Sequence, residues 1–147
     1  MKVSEVMTRD VQVIHPQRGL PEAALVMHRR DVGCLPVVEG KRLVGIVTDR
    51  DLAVRAIAEG RDLATCLIDD VMTKTVVHVY DDQDVEEAIG LMSSWQVRRL
   101  PVLNRQAQLV GILSLADVAL NGFDPKVAGQ TLRRIAQPVP PDLTGAA

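Results

Sequence analysis

The sequence predicts an α+β fold made of two copies of one small unit, packed about a pseudo-twofold axis. Three observations predict it. First, the chain repeats itself: Val6-Met7-Thr8 returns as Val71-Met72-Thr73, Glu22-Ala23 as Glu87-Ala88, and Leu35-Pro36-Val37 as Leu100-Pro101-Val102. Leu43-Val44-Gly45-Ile46 likewise returns as Leu109-Val110-Gly111-Ile112, after one inserted residue near Arg105. Second, each copy alternates short β-branched runs with helically spaced apolar residues. Third, in each copy an apolar run passes into a helical pattern through a hydroxyl residue with Asp three places on. Thr48 with Asp51, and Ser114 with Asp117, have the spacing of a helix N-terminal capping box.

In chain order, each copy opens with a helical turn, Ser4 to Met7 or Asp69 to Met72. A small strand follows, Val11 to Ile14 or Val76 to Val79, and then a polar turn. Helices are expected at Leu20 to Arg30 and Val85 to Trp95, the second opened by Asp84 and Glu87 at capping-box spacing. Their buried faces are Ala24, Val26 and Met27 in one, and Val85, Ala88, Ile89, Leu91 and Met92 in the other. Strands follow at Cys34 to Val38 and Arg99 to Leu103. Pro36 and Pro101 lack a backbone donor, which calls for short or edge strands. A third strand then leads into the helix that starts at Thr48 or Ser114. One copy has too few strands to bury its own faces, so the two are expected to close a common core. The first unit is placed at residues 1–66 and the second at 67–122. The tail, 123–147, carries a short helix from Lys126 to Ala136 and a proline-rich flexible end.

The totals narrow the function. Of 147 residues, 47% are apolar, but there is one Trp, one Tyr and one Phe, so the core is aliphatic. Seventeen basic against nineteen acidic residues, net −2, argue against a general nucleic-acid binder. Two cysteines, Cys34 and Cys66, are too few for a disulfide scaffold and point to a reducing compartment. No secretory leader is evident, and no apolar run approaches the ~18 residues of a membrane span, so a cytoplasmic protein is expected. His15, His28, His78 and the two cysteines show no metal-ligand spacing, and Cys34 reads as an inert thiol beside a strand. No phosphate-binding glycine loop or nucleophile elbow is present, so the chain reads as a non-enzyme.

The duplicated pattern resembles a pair of cystathionine-β-synthase (CBS) domains, or Bateman module. The resemblance rests on Val-Met-Thr before the first strand, the turn and Glu-Ala at the start of the first helix, and Val32 to Val37 with its counterpart Val97 to Val102. It rests also on Gly45 to Asp51 with its counterpart Gly111 to Asp117. It covers about residues 3 to 121, and the chain is similar to stand-alone bacterial CBS-pair proteins. The resemblance implies a regulatory module that binds adenine nucleotides or related adenosyl ligands between the copies. In that family the Asp of Gly-x-x-(Thr/Ser)-x-x-Asp holds the ribose hydroxyls, and the Thr or Ser touches ribose or phosphate. The adenine sits against the other copy's first strand, and basic residues before the other copy's Leu-Pro-Val reach phosphates.

Carried onto this sequence, the resemblance implies two unequal clefts. The first combines Thr48 and Asp51 with Thr75, Val76, Val77, Arg98 and Arg99, with Arg50 in the same turn. The second combines Ser114 and Asp117 with Val11, Gly33 and Cys34 and lacks a basic residue. The first is therefore expected to bind a phosphorylated nucleotide, and the second to be weak, empty or filled by an uncharged adenosyl ligand. AMP, ADP or ATP lead as regulatory ligands, NAD and S-adenosylmethionine share the same ribose and adenine, and no cofactor is required. The residues alone leave Asp51 and Asp117 as helix caps and the two arginines as a surface pair with carboxylates. A homodimer through the helices is expected, since Met27, Met92 and Trp95 exceed what one face needs, and a downstream protein partner is implied. A ligand-free dimerisation scaffold is the alternative.

Overall fold

In a computed structural model, residues 1–138 are described. The expected helices form at α2, Leu20–Arg30, and α4, Val85–Trp95, each closed by a non-glycine residue in the left-handed region, Asp31 and Gln96. The hairpin β1, Cys34–Glu39, with β2, Arg42–Thr48, is antiparallel. Its counterpart is β4, Arg99–Leu103, with β5, Leu109–Ser114.

The small strands expected before the long helices are shorter than their pattern. Only Ile14 of the first bridges Val37, and only β3, Val79–Tyr80, forms in the second, parallel to β4. Residues 9–13 and 74–78 are spent instead on crossing from one half of the molecule to the other. β4 is consequently the central strand of three rather than an edge. Pro101 is tolerated there because β3 begins alongside Val102, so no partner strand asks for the missing N–H.

The crossings follow from where the leaders dock. The first leader, α1 at Val3–Val6, lies on the second half: the Val3 N–H donates to the Gln83 carbonyl (2.9 Å), and Thr8 and Ile112 exchange backbone bonds of 2.8 and 2.9 Å. The second leader, α3 at Ile68–Val71, lies on the first half, with Ile68 donating to Arg18 (2.9 Å) and Thr73 paired to Ile46 (2.8 and 2.9 Å). A common core was expected. The structure has two, each completed by the leader attached to the other copy. Val3, Val6 and Met7 pack with Val85, Leu100 and Leu113, and Ile68, Val71 and Met72 pack with Leu35, Val37 and Val47. Met27 and Met92 are buried in these cores and are not surplus surface, as had been expected; Trp95 is 59% exposed.

After β2 the chain enters a π-helix, Asp51–Ala58, whereas after β5 it forms the short α5, Leu115–Leu120. The tail helix, α6 at Pro125–Ile135, starts at Asp124, whose carboxylate accepts from the Lys126 N–H (2.9 Å), and packs on α4 and α5. Gln96 fastens its far end, donating to the carbonyls of Arg134 and Gln137 (3.1 Å each). The proline-rich tail read as flexible lies, from Val139 onward, outside the described residues.

Candidate functional site

Both capping boxes form. The Asp51 N–H donates to the Thr48 hydroxyl (3.1 Å) and the Thr48 N–H to the Asp51 carboxylate (2.9 Å). Asp117 and Ser114 repeat this at 3.0 and 2.8 Å. The two carboxylates then differ. Asp51 is buried, and its other oxygen faces Arg55 Nε at 3.5 Å. Arg55 also donates to the carbonyls of Val71 and Met72 (3.4 Å each), so it ties the carboxylate to the end of α3. Sequence reasoning passed over Arg55, although its place four residues after Asp51 on a helix was the available signal. The corresponding position in the second copy is Asn121, whose amide goes to the Asp117 backbone carbonyl (2.6 Å). The second Asp117 oxygen has no protein partner among the described residues.

The crossing spans place the other expected residues. Thr73 is the last residue bridged to the first half and Val79 the first strand residue of the second, so Thr75, Val76 and Val77 lie on the passage between them. Val11 lies on the opposite passage, between Thr8 and Ile14.

Backbone pairing fixes where the two arginines emerge. The β4–β5 register sets Arg99 opposite Ser114, and the Leu115 N–H donates to the Arg98 carbonyl (2.9 Å). Likewise Cys34 pairs with Thr48, and the Asp49 N–H donates to Gly33 (3.0 Å). An antiparallel hairpin makes the residues entering its first strand neighbours of those leaving its second, so each helix start meets its own copy's strand start. The backbone of Arg98 and Arg99 thus lies beside Ser114 and Leu115, and that of Gly33 and Cys34 beside Thr48 and Asp49. A Cβ at Gly33 would approach the exposed Asp49 carboxylate to 3.0 Å. Arg50 is exposed and makes no ion pair among the described residues. Among the described residues neither Arg98 nor Arg99 finds the surface carboxylate that a plain solvated pair would use. Beside them a cavity of about 400 Å³ opens between α5 and α6.

Arg99 also faces the first half. Burial pushes the Cys34 thiol above its ordinary range, the Arg99 charge works against that push, and Asp51 and Asp49 add to it. Alkylation of Cys34 by iodoacetamide at pH 7.5 is therefore slow. Arg99→Gln, which removes the one opposing charge, makes it slower. Peptide mass spectrometry reads both rates, and a Cys34 as reactive as an ordinary thiol would contradict this placement.

The repeat and the fold match known proteins. The family described as the CBS domain matches residues 3–57 and 68–121. The CBS domain-containing protein YhcV of Bacillus subtilis is 40% identical over 134 residues, 91% of this chain and 94% of that protein. The inosine-5'-monophosphate dehydrogenase of Methanocaldococcus jannaschii is 38% identical over 128 residues, 86% of this chain but 25% of the enzyme. Among solved structures, the CBS domain pair of protein MJ0100, in complex with 5'-methylthioadenosine and S-adenosyl-L-methionine, superposes with a TM-score of 0.72 at 25% identity. The match covers 82% of this chain and 98% of that one. No helix among the described residues is long and apolar enough to cross a membrane.

Proposed function

The chain belongs to the CBS-domain family as a tandem pair, and from that premise we propose that it is a regulatory, non-catalytic module that senses a phosphorylated adenosyl ligand. The binding cleft is the one formed by Ser114, Asp117, Val11, Arg98 and Arg99. A single observation carries the choice: the half-free Asp117 carboxylate stands in the same copy, beside the same hairpin end, as two guanidinium groups without ion-pair partners among the described residues. A carboxylate oxygen can accept from both hydroxyls of a ribose. Two arginines supply charge-assisted bonds to phosphate. The Thr48–Asp51 cleft has no such free carboxylate oxygen. Its carboxylate is engaged by Arg55 and its hairpin neighbours are Gly33 and Cys34. With Thr75, Val76 and Val77 across from it, that cleft suits an uncharged adenosyl group. The proposal thus puts the phosphorylated ligand in the cleft of Ser114 and Asp117, where the sequence expectation had put it with Thr48 and Asp51.

AMP, ADP and ATP are the leading ligands. NAD and S-adenosylmethionine are outcomes of the same test, which is thermal unfolding of the full chain with each compound. A ligand at 100 times its dissociation constant stabilises by about 2.7 kcal/mol, a shift of roughly 5–10 °C for a chain of this size. AMP, ADP or ATP is expected to give the largest shift. No shift with any of the five would favour the ligand-free scaffold.

The protein works as a homodimer in a reducing cytoplasm and passes its state to a partner protein, the ligand acting only through its differential affinity for two arrangements. The dimer surface is the open helix face of the first half, where Leu25 is 45% and Ile57 62% exposed. On the second half α6 covers the equivalent face, and Ile89 there is buried. Sedimentation equilibrium at micromolar concentration should give twice the 16.0 kDa chain mass, and Ile57→Glu should return it to the single-chain value. A wild-type mass of one chain would contradict the dimer.

A further inference from the structure

The α6 helix has no counterpart in the first copy, and it roofs the cavity beside Arg98 and Arg99. The floor is the flank of α5, with Leu115, Ala116 and Ala119. The roof is Ala128, Gly129 and Leu132 of α6. The space, about 400 Å³, falls within the ~300–1,000 Å³ of small-molecule sites. It is polar at one end only. Arg98, Arg99 and Ser114 stand there, and no titratable side chain lines the rest. The small residues on both helices leave room that larger side chains would fill.

We propose that this cavity binds an anionic ligand with an apolar arm: a carboxylate or phosphate head on Arg98 and Arg99, with an alkyl chain lying between α5 and α6. Each methylene moved from water into the gap contributes roughly fourfold in affinity, and the two guanidiniums select the charged head. A bound arm touches both helices and so clamps α6 to α5, adding to the hold that Gln96 has on the far end of α6. The inference rests on the nucleotide reading in one respect only. The same arginines serve both ligands, so the two ligands compete.

Calorimetric titration of the full chain, without nucleotide, tests this with decanoate and decyl phosphate as probes and decanol as the uncharged control. Saturable one-to-one binding of at least one anion is expected, and whichever binds tighter identifies the head group. The Arg98→Gln, Arg99→Gln double variant should bind at least tenfold more weakly. Ala119→Trp should abolish binding by filling the gap. Leu132→Glu, at a side chain 48% exposed, is a second variant that places a negative charge at the roof without disturbing a core, and it too should weaken both anions. No saturable binding of either anion would overturn the proposal, as would binding undiminished in both Ala119→Trp and Leu132→Glu, or decanol binding as tightly as the tighter anion. The two readings fail separately. If either anion binds and ADP does not, the nucleotide reading falls and this one stands; if ADP binds and neither anion does, the reverse holds.

Discussion

Gly111→Val lowers the stability of the chain by about 3 kcal/mol, the upper end of the usual cost of overpacking, and Gly45→Val does the same in the other half. A Cβ at Gly111 would lie 2.7 Å from the Met7 sulfur and 2.9 Å from the Thr8 carbonyl. At Gly45 the distances to Met72 and Thr73 are again 2.7 and 2.9 Å. The methionine tail can swing away. The carbonyl cannot, because it accepts the Ile112 N–H, or the Ile46 N–H in the other half, at 2.9 Å. Making room therefore parts the leader from the strand, loses a pair of backbone bonds worth about 1 kcal/mol each, and loosens Met7 or Met72 in its core. The midpoint of thermal unfolding should fall by roughly 6–12 °C. Amides of residues 3–8 should also lose hydrogen-exchange protection in the Gly111 variant, and those of residues 68–73 in the Gly45 variant. Gly40→Ala is the control: it has open space around it and carries only the strain of a positive φ of 64°. A Gly111→Val chain that melts with the wild type would show that the leaders do not dock as described.

Asp117→Ala abolishes stabilisation by ADP, and Asp51→Ala leaves it in place. Both substitutions remove a helix cap, so both lower the midpoint in the absence of ligand by the equivalent of about 1 kcal/mol. That common loss separates the capping role from the binding role, because the two variants differ only in what ligand then does. Asp51 has Arg55 on its second oxygen, which leaves it little to offer a ribose. Asp117 has an oxygen to spare and two arginines nearby. Arg98→Gln and Arg99→Gln each remove charge-assisted bonds of about 1.5–3 kcal/mol, so each should weaken ADP by at least tenfold while sparing adenosine.

Much of this architecture was legible in the residues. The Val6-Met7-Thr8 and Gly45–Asp51 echoes located both copies, and Thr48 with Asp51 and Ser114 with Asp117 form the capping boxes that their spacing called for. The helices Leu20–Arg30 and Val85–Trp95 begin and end where their apolar spacing places them. What the pattern hid was which leader joins which half. Val3 and Ile68 are equally apolar, and nothing local says that each packs in the core of the other copy. The two glycines carried that information, since only a chain crossing close over the strand needs one at Gly45 and Gly111. The site was partly legible for a related reason. Residue types could be carried over one by one, but the hairpin register that joins Arg99 to Ser114 and Cys34 to Thr48 is a tertiary fact. It sets the backbone of the basic pair beside Ser114, while the Arg99 charge still reaches Cys34. Arg55 was invisible because its partners, the carbonyls of Val71 and Met72, come from the exchanged leader.

The most direct measurement is a calorimetric titration of ADP into the full wild-type chain and into Asp117→Ala and Asp51→Ala. The predicted result is one ADP per chain for wild type and for Asp51→Ala, and no measurable binding to Asp117→Ala. Binding lost on Asp51→Ala and kept on Asp117→Ala would place the phosphorylated ligand in the other cleft and contradict the account.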